Sequence, residues 1–339
     1  VLPQENPAAR RRNRLQSEPQ RDNPSGGDHH MLTRTLLGLA VLMSGSAHAQ
    51  AADIPRTPEG KPDFQGVWES RWLTPFERPA ELNGPTMTAE QAAAYKATSD
   101  KKDAEEDIDP PDDSEYGTWM PAPDGLFRTA LIVEPATGKL PLTDAAKAMK
   151  AAWGKRLDIM AGPEDRMPNE RCLGGPGRAP MPITPANMYR RIVQTPDHLG
   201  ILTEDMNDFR MIGVGTTHLP AAITSYHGDS IARWEGDVLA IETTNYGAAI
   251  SFRGVVVGPQ SVVTERMRLT GPDEISYEFT VTDPALYSAP WRAQYVFHRT
   301  NTPMWEGTCH EGNYGLTNIL LGARVAEAHP PKPKAKTKN

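Results

Sequence analysis

From Met188 onward the chain alternates apolar and polar residues in short runs broken by turn residues. Half-buried β-strands carry that period of two. Residues 189–194, 199–204 and 209–214 are three such runs. Runs 230–234 and 238–244 flank Glu235-Gly236-Asp237, and runs 262–269 and 275–282 flank Gly271-Pro272-Asp273-Glu274; both are hairpin signals. Runs 291–298 and 304–309 complete the series, and 314–327 reads as a helix laid across it. Short strands in regular succession form an antiparallel meander whose edges must close or be covered. The expected fold is therefore mainly β: a meander closed as a lipocalin-like barrel, with a few peripheral helices. A two-sheet sandwich is the alternative.

Ahead of this β domain (188–327) lies a helical and loop-rich part, 50–187, expected to pack on the barrel. Phe64-Gln-Gly-Val-Trp68 and Leu131-Ile-Val133 are strand candidates within it. Thr88 and Gln91 stand at capping-box spacing before a helix. Thr143 caps a second helix, from about Asp144 to Met160, with Ala145, Met149, Ala152, Trp153 and Leu157 near one face. Residues 101–115 are charged, contain Pro110-Pro111, and read as an exposed connection. Residues 162–185 are a Gly- and Pro-rich loop. Residues 328–339 form a basic, proline-interrupted tail expected to be disordered.

At Met31 a basic n-region (Arg34) leads into an apolar run, 36–43, and then Ala47-His48-Ala49. This is the layout of a secretory signal peptide cleaved after Ala49, with too short an apolar run to span a bilayer. The mature protein is expected in the periplasm or outside the cell. Residues 1–30 are rich in Pro, Arg, Asn, Gln and Ser and cannot bury a core. They read as a mis-assigned upstream stretch, with Met31 as the true start, or as a disordered n-region. No Cys follows the apolar run, which disfavours a lipoprotein anchor.

A net charge of −7 and the absence of a basic stripe with interleaved aromatics argue against a nucleic-acid partner. No second apolar stretch is long enough for a membrane span. The Gly213 and Gly215 pair and the Gly174-Gly175-Pro176-Gly177 loop lack a strand–helix context, so no nucleotide site is read. The two cysteines, Cys172 and Cys309, most simply form one disulfide in an oxidising compartment, worth about 2–4 kcal/mol. The alternative is a pair of thiolate metal ligands, although neither belongs to a Cys-x-x-Cys pair. The reading assigns no metal and no cofactor, and leaves the oligomeric state open.

One strand breaks its own pattern. Val263, Glu265, Met267 and Leu269 share the apolar face of run 262–269, whose other face carries Thr264, Arg266 and Arg268. An inward carboxylate costs several kcal/mol unless it is paired. It is either half of a buried Glu–Arg pair that fixes strand register, or an acid of raised pKa doing chemistry. On the chemical reading Glu265 is the acid or base, with His310, Glu311 and Asp283 as partners and Arg210 or Arg266 stabilising an anion. His218, His227, Asp229, Trp234, Trp291 and Asn313 would contact substrate. Ser230 lacks a nucleophile elbow, and His310-Glu311 is not a His-Glu-x-x-His helix. The expected function is a secreted hydrolase or lyase acting on a small organic molecule or glycoside. The alternative is a non-catalytic periplasmic binding protein for an apolar or aromatic ligand, in which several tryptophans line one cavity.

Several separated segments carry a resemblance in order: Arg171-Cys-Leu173, Ile192-Val-Gln-Thr195, Arg233-Trp-Glu-Gly-Asp-Val-Leu-Ala-Ile-Glu-Thr-Thr-Asn-Tyr246, Phe279-Thr-Val-Thr-Asp-Pro284 and Cys309-His-Glu-Gly-Asn-Tyr-Gly-Leu316. Together they resemble a large family of secreted bacterial proteins, mostly of unassigned function, with a Trp-Glu-Gly-Asp hairpin and a Cys-His-Glu-Gly-Asn-Tyr segment. The resemblance spans residues 53–326. It implies export and a single β-rich domain and supplies no catalytic residue. Where such relatives read Asp-Gly-Arg before a His, this chain has Gly213-Val-Gly-Thr-Thr before His218.

Overall fold

The computed structural model describes residues 53–105, 117–173, 177–181, 189–204, 208–247, 250–252, 255–305, 307, 309 and 312–329. The first strands are β1 (Gly66–Glu69), β2 (Thr86–Met87), β3 (Phe127–Arg128) and β4 (Ile132–Glu134). Then come β5 (Tyr189–Gln194), β6 (His198–Thr203), β7 (Asp208–Val214), β8 (Asp229–Glu235) and β9 (Val238–Thr244). The last are β10 (Ile250–Phe252), β11 (Val255–Val257), β12 (Val262–Gly271), β13 (Glu274–Thr282) and β14 (Trp291–Thr300). Among the described residues three α-helices accompany them: α1 (Ala89–Glu105), α2 (Asp144–Ile159) and α3 (Tyr314–Ala328).

Nine strands close a barrel in the order β1-β5-β6-β7-β8-β9-β12-β13-β14, with β14 pairing back to β1. β4 adds to β14 outside the ring. The mainly β barrel expected from the alternation is present, with one topological correction: it is not wholly antiparallel. β7 and β8 pair in parallel at Gly213↔Ile231 and Val214↔Ala232. A ring of antiparallel neighbours alternates direction, so a ring of nine must contain a parallel pair. The connection 215–228 is the crossover that returns the chain to the same end.

Local signals account for the edges of the elements. Gly236 takes φ 62° at the first position of the β8–β9 turn, where a two-residue hairpin requires it. The capping box ahead of α1 is formed: Thr88 N donates to Gln91 Oε1 (2.8 Å) and Gln91 N to Thr88 Oγ1 (3.3 Å). Thr143 Oγ1 accepts from Ala146 N at the start of α2. Two expectations change. The 64–68 candidate in the lead-in supplies β1, the strand that closes the ring between β5 and β14. The run 304–309, expected as a last strand, has no strand among its described residues.

Large side chains pack the barrel interior among the described residues. Trp68, Leu199, Ile201, Leu239, Val263, Met267, Tyr277, Trp291 and Phe297 point inward and are buried. Tyr277 is ringed by Phe279, Tyr295 and Phe297 at centroid distances of 5.6, 5.0 and 5.7 Å. The tryptophans do not share one cavity. Trp68 and Trp291 are core, Trp234 stacks on Phe64, Trp119 meets Tyr95, and Trp305 is exposed.

Burial raises the phenol pKa of Tyr246, Tyr277 and Tyr295, and pushes that of Tyr287 up to about 12. The protonated phenol is thus favoured by folding. Its stabilisation is complete below the unfolded value of about 10 and is lost as pH rises through the folded values. We expect these phenols to ionise only together with unfolding above about pH 10. Ultraviolet phenolate absorbance and circular dichroism followed through alkaline titration should change in one step; separate steps would contradict it.

Candidate functional site

Glu265 faces the barrel interior and is fully buried. Its hydrogen-bond partners come from β7 and β13, and the network continues through Arg210 to β8 and β9. Arg210 Nη1 donates to Glu265 Oε1 at 2.9 Å, and Arg210 Nη2 donates to Oε2. Tyr277 Oη donates to Glu265 Oε1 at 2.7 Å. Arg210 also donates from Nε to Ser230 Oγ (3.0 Å) and from Nη2 to Thr243 Oγ1 (2.9 Å). Both carboxylate oxygens are engaged, and the guanidinium is bidentate. Burial opposes the Arg210 charge, while the Glu265 carboxylate holds its pKa above the ordinary arginine range.

The other residues grouped with Glu265 lie elsewhere. Arg266 is on the outer face, 2.7 Å from Glu235. Asp283 closes a turn after β13, accepting from Ser261 Oγ (2.7 Å) and Ala285 N (2.9 Å). Asn313 caps α3 and donates to Glu170 O (3.2 Å) and Cys172 Sγ (3.1 Å). Trp234 has Lys61 Nζ 5.6 Å from its ring centroid, and Trp291 is packed by Phe76, Phe279 and Tyr287. His310 and Glu311 lie outside the described residues. Cys172 and Cys309 are joined in a disulfide. Among the described residues no group of three His, Cys, Asp or Glu could hold a metal ion.

His218 lies between two carboxylates, Asp229 at the start of β8 and Glu242 within β9. Its Nδ1 is 2.7 Å from Asp229 Oδ2 and its Nε2 is 3.1 Å from Glu242 Oε1. Asp229 Oδ2 also accepts from Leu219 N at 2.8 Å, and Asn245 Nδ2 donates to Leu219 O at 3.1 Å. Both ring nitrogens are engaged, and the cluster ties the crossover 215–228 to the barrel rim.

That crossover carries a different imidazole at the same end of the barrel. His227 Nε2 is 2.6 Å from Oδ1 of Asp208, the first residue of β7. The distance is that of an ion pair, while the alignment falls short of a hydrogen bond. Asp208 is buried, whereas the His227 side chain is 30% exposed. Gly228 follows at φ 74°, where an added Cβ would stand 2.5 Å from Thr244 O. This position therefore needs glycine, which sets the direction in which His227 is presented.

Segment 177–181 enters the barrel here. Gly177 N donates to Asp208 Oδ2 at 2.9 Å, and a Cβ on Gly177 would lie 2.7 Å from Asp208 Cγ. Tyr246 Oη donates to Ala179 O (3.1 Å), Met181 N donates to Tyr277 Oη (3.0 Å), and Tyr295 Oη donates to Met181 O. Arg178 sits 5.3 Å from the ring centroids of both Tyr226 and Tyr246. Its Nη2 donates to Val257 O at 3.3 Å, and its buried Nη1 has no hydrogen-bond partner. Burial lowers the Arg178 pKa against the pull of Tyr246, Tyr226 and Asp208, and raises that of Tyr226.

Sequence reasoning named His227 but missed Asp208 and Arg178. Asp208 begins a strand and reads as a turn residue. Arg178 lies in a loop with no period, and only the close-approach glycine at 177 hinted at packing there. No family model matches the chain, and no curated protein matches it. No helix among the described residues is long and apolar enough to cross a membrane.

Proposed function

We propose that the protein is an exported acid–base enzyme, a hydrolase or lyase acting on a small organic molecule. Its proton-transferring group is His227, held by Asp208 at the end of the barrel where segment 177–181 enters. The observation that carries this reading is the half-open imidazole 2.6 Å from a buried carboxylate. A buried Asp beside a partly accessible His is an arrangement that places an imidazole for general acid–base work. Arg178, with a buried amino group lacking a partner, supplies the positive charge that an anionic substrate or intermediate would meet. Around it Arg178, Arg190 and Arg210 face Asp208 and Glu265, a cationic excess among the described buried groups of this interior. Glu265, with both oxygens taken, serves the fold on this reading rather than the chemistry. Export through a cleaved leader, and kinship with the secreted family of the Trp-Glu-Gly-Asp hairpin, belong to the same proposal; the disulfide suits an oxidising compartment.

The test is turnover of a panel of carboxylate-bearing esters, lactones and glycosides by the wild type, His227→Ala and Asp208→Asn. Removing a general acid–base group should lower kcat about 10²–10⁴-fold with the fold intact. Equal turnover by His227→Ala would remove this site from the chemistry.

A second reading, a carrier for an apolar or aromatic ligand, is favoured by a cleft beside α1. It has a volume of about 430 Å³ and is lined by Leu82, Met87, Tyr95, Thr98 and Lys102 among others. That size suits a small aromatic molecule. Native mass spectrometry that finds a co-purifying ligand lost in Tyr95→Ala, with no turnover, would favour the carrier over the enzyme.

A further inference from the structure

Crossover 215–228 carries His227 and has no strand or helix of its own. What holds it is the end of β9. Asn245 follows that strand at φ 56°, a left-handed conformation that Asn tolerates better than most residues with a side chain. Its side-chain Nδ2 donates to Leu219 O (3.1 Å) and Pro220 O (3.3 Å), in the first half of the crossover. Its backbone O accepts from Ser225 N (3.1 Å), in the second half, and Gly247 N donates to Ser225 O (2.9 Å). Thr244 Oγ1 donates to Asn245 Oδ1 (3.2 Å). The groups opposite Nδ2 are carbonyls, which only accept, so the amide satisfies its neighbours in this orientation alone.

Ser225 passes this anchorage on to His227. Its Oγ donates to Gly228 O (2.8 Å), and Gly228 N donates to Ser225 O (3.3 Å). Tyr226 and His227 are thus enclosed in a short turn tied at both ends. Their rings meet at a centroid distance of 5.5 Å. The close approach of Gly228 to Thr244 O and Tyr246 Cε1 seats this turn on the same strand end that Asn245 leaves. From there the imidazole reaches Asp208. An irregular segment keeps its shape only where its backbone polar groups find partners. Here one residue supplies partners to both halves.

We propose that Asn245 is a positioning residue for His227. By bonding both halves of the crossover it sets the imidazole against Asp208, without itself meeting substrate. The inference rests on the acid–base reading of His227 and adds the residue through which the barrel places that group. Asn245→Asp keeps the shape and the left-handed backbone but turns a carboxylate oxygen toward the carbonyls of Leu219 and Pro220, where like partial charges repel. Asn245→Gly keeps the backbone conformation and removes only the side-chain donor. Both variants release the first half of the crossover, Asp more than Gly. A displaced acid–base group loses rate rather than affinity, because proton transfer requires hydrogen-bond reach.

The experiment compares the full-length wild type with Asn245→Asp and Asn245→Gly by turnover and by NMR of the imidazole rings. His227 is assigned from the signal missing in His227→Ala. Against the panel substrate that the wild type turns over, kcat should fall about ten- to a hundredfold with KM little changed, more in Asn245→Asp than in Asn245→Gly. The His227 resonances should move in both variants. Those of His198, which pairs with Gly213 at the other end of β7 from Asp208, should stay. Asn245→Gly carries the test if Asn245→Asp does not fold. Unmoved His227 resonances overturn the proposal, as does unchanged kcat where His227→Ala loses activity. A rise in KM with displaced His198 signals also overturns it, since the damage would then be general. A wild type inert toward the whole panel would sink the acid–base reading instead, and the imidazole signals alone would decide whether Asn245 places His227.

Discussion

Replacing Arg210 with Met should destabilise the barrel by about 3–5 kcal/mol, the cost of leaving a buried charge without its partner. Arg210 is the centre of the interior network. It donates to both oxygens of Glu265, to Ser230 and to Thr243, joining β7 to β8, β9 and β12. Without it the Glu265 carboxylate keeps, among the described residues, the Tyr277 hydroxyl as its hydrogen-bond donor. The double variant Arg210→Met/Glu265→Leu should recover most of that loss, because a buried pair can be exchanged for apolar groups at little net cost. What remains is the Tyr277 hydroxyl, deprived of its acceptor at about 1–3 kcal/mol. Urea unfolding of the wild type, the single variant and the double variant tests this. A double variant no more stable than the single one would mean that the damage is lost packing around Arg210 rather than an orphaned charge.

Removing the disulfide should cost about 2–5 kcal/mol. Cys172 and Cys309 are 137 residues apart, so the bond excludes a large set of open conformations from the unfolded chain. It also has a local consequence. Cys172 lies just ahead of segment 177–181, whose hydrogen bonds to Asp208, Tyr246, Tyr277 and Tyr295 form inside the barrel. The Cys172→Ser/Cys309→Ser variant should therefore show a lower unfolding midpoint and faster hydrogen exchange at the Met181 amide. A lower midpoint with unchanged exchange at Met181 would confine the effect to the unfolded chain. An unchanged midpoint would contradict the expected stabilisation.

The β architecture was legible because strand periodicity is local. In β12 the inward and outward sides read directly from the alternation, and Val263, Glu265, Met267 and Leu269 are all buried. The Glu235-Gly236-Asp237 turn and the caps at Thr88 and Thr143 depend on neighbours within four residues. β1 was harder to place, because a four-residue strand joins the barrel only through partners more than a hundred residues away.

The sequence by itself determined that strands form, which way their side chains face, and that one acid must sit among apolar residues. Only the tertiary structure decided what that acid meets. Arg210 lies on β7, three positions round the ring from β12, and nothing within its own segment announces Glu265. The same holds for Asp208, His227 and Arg178, which come from a strand start, a crossover and an irregular loop. Their proximity is a property of the closed ring, with its single parallel step returning 215–228 to the end where segment 177–181 enters. Alternation records which side of a strand is buried, but it carries no information about which residues share the space inside.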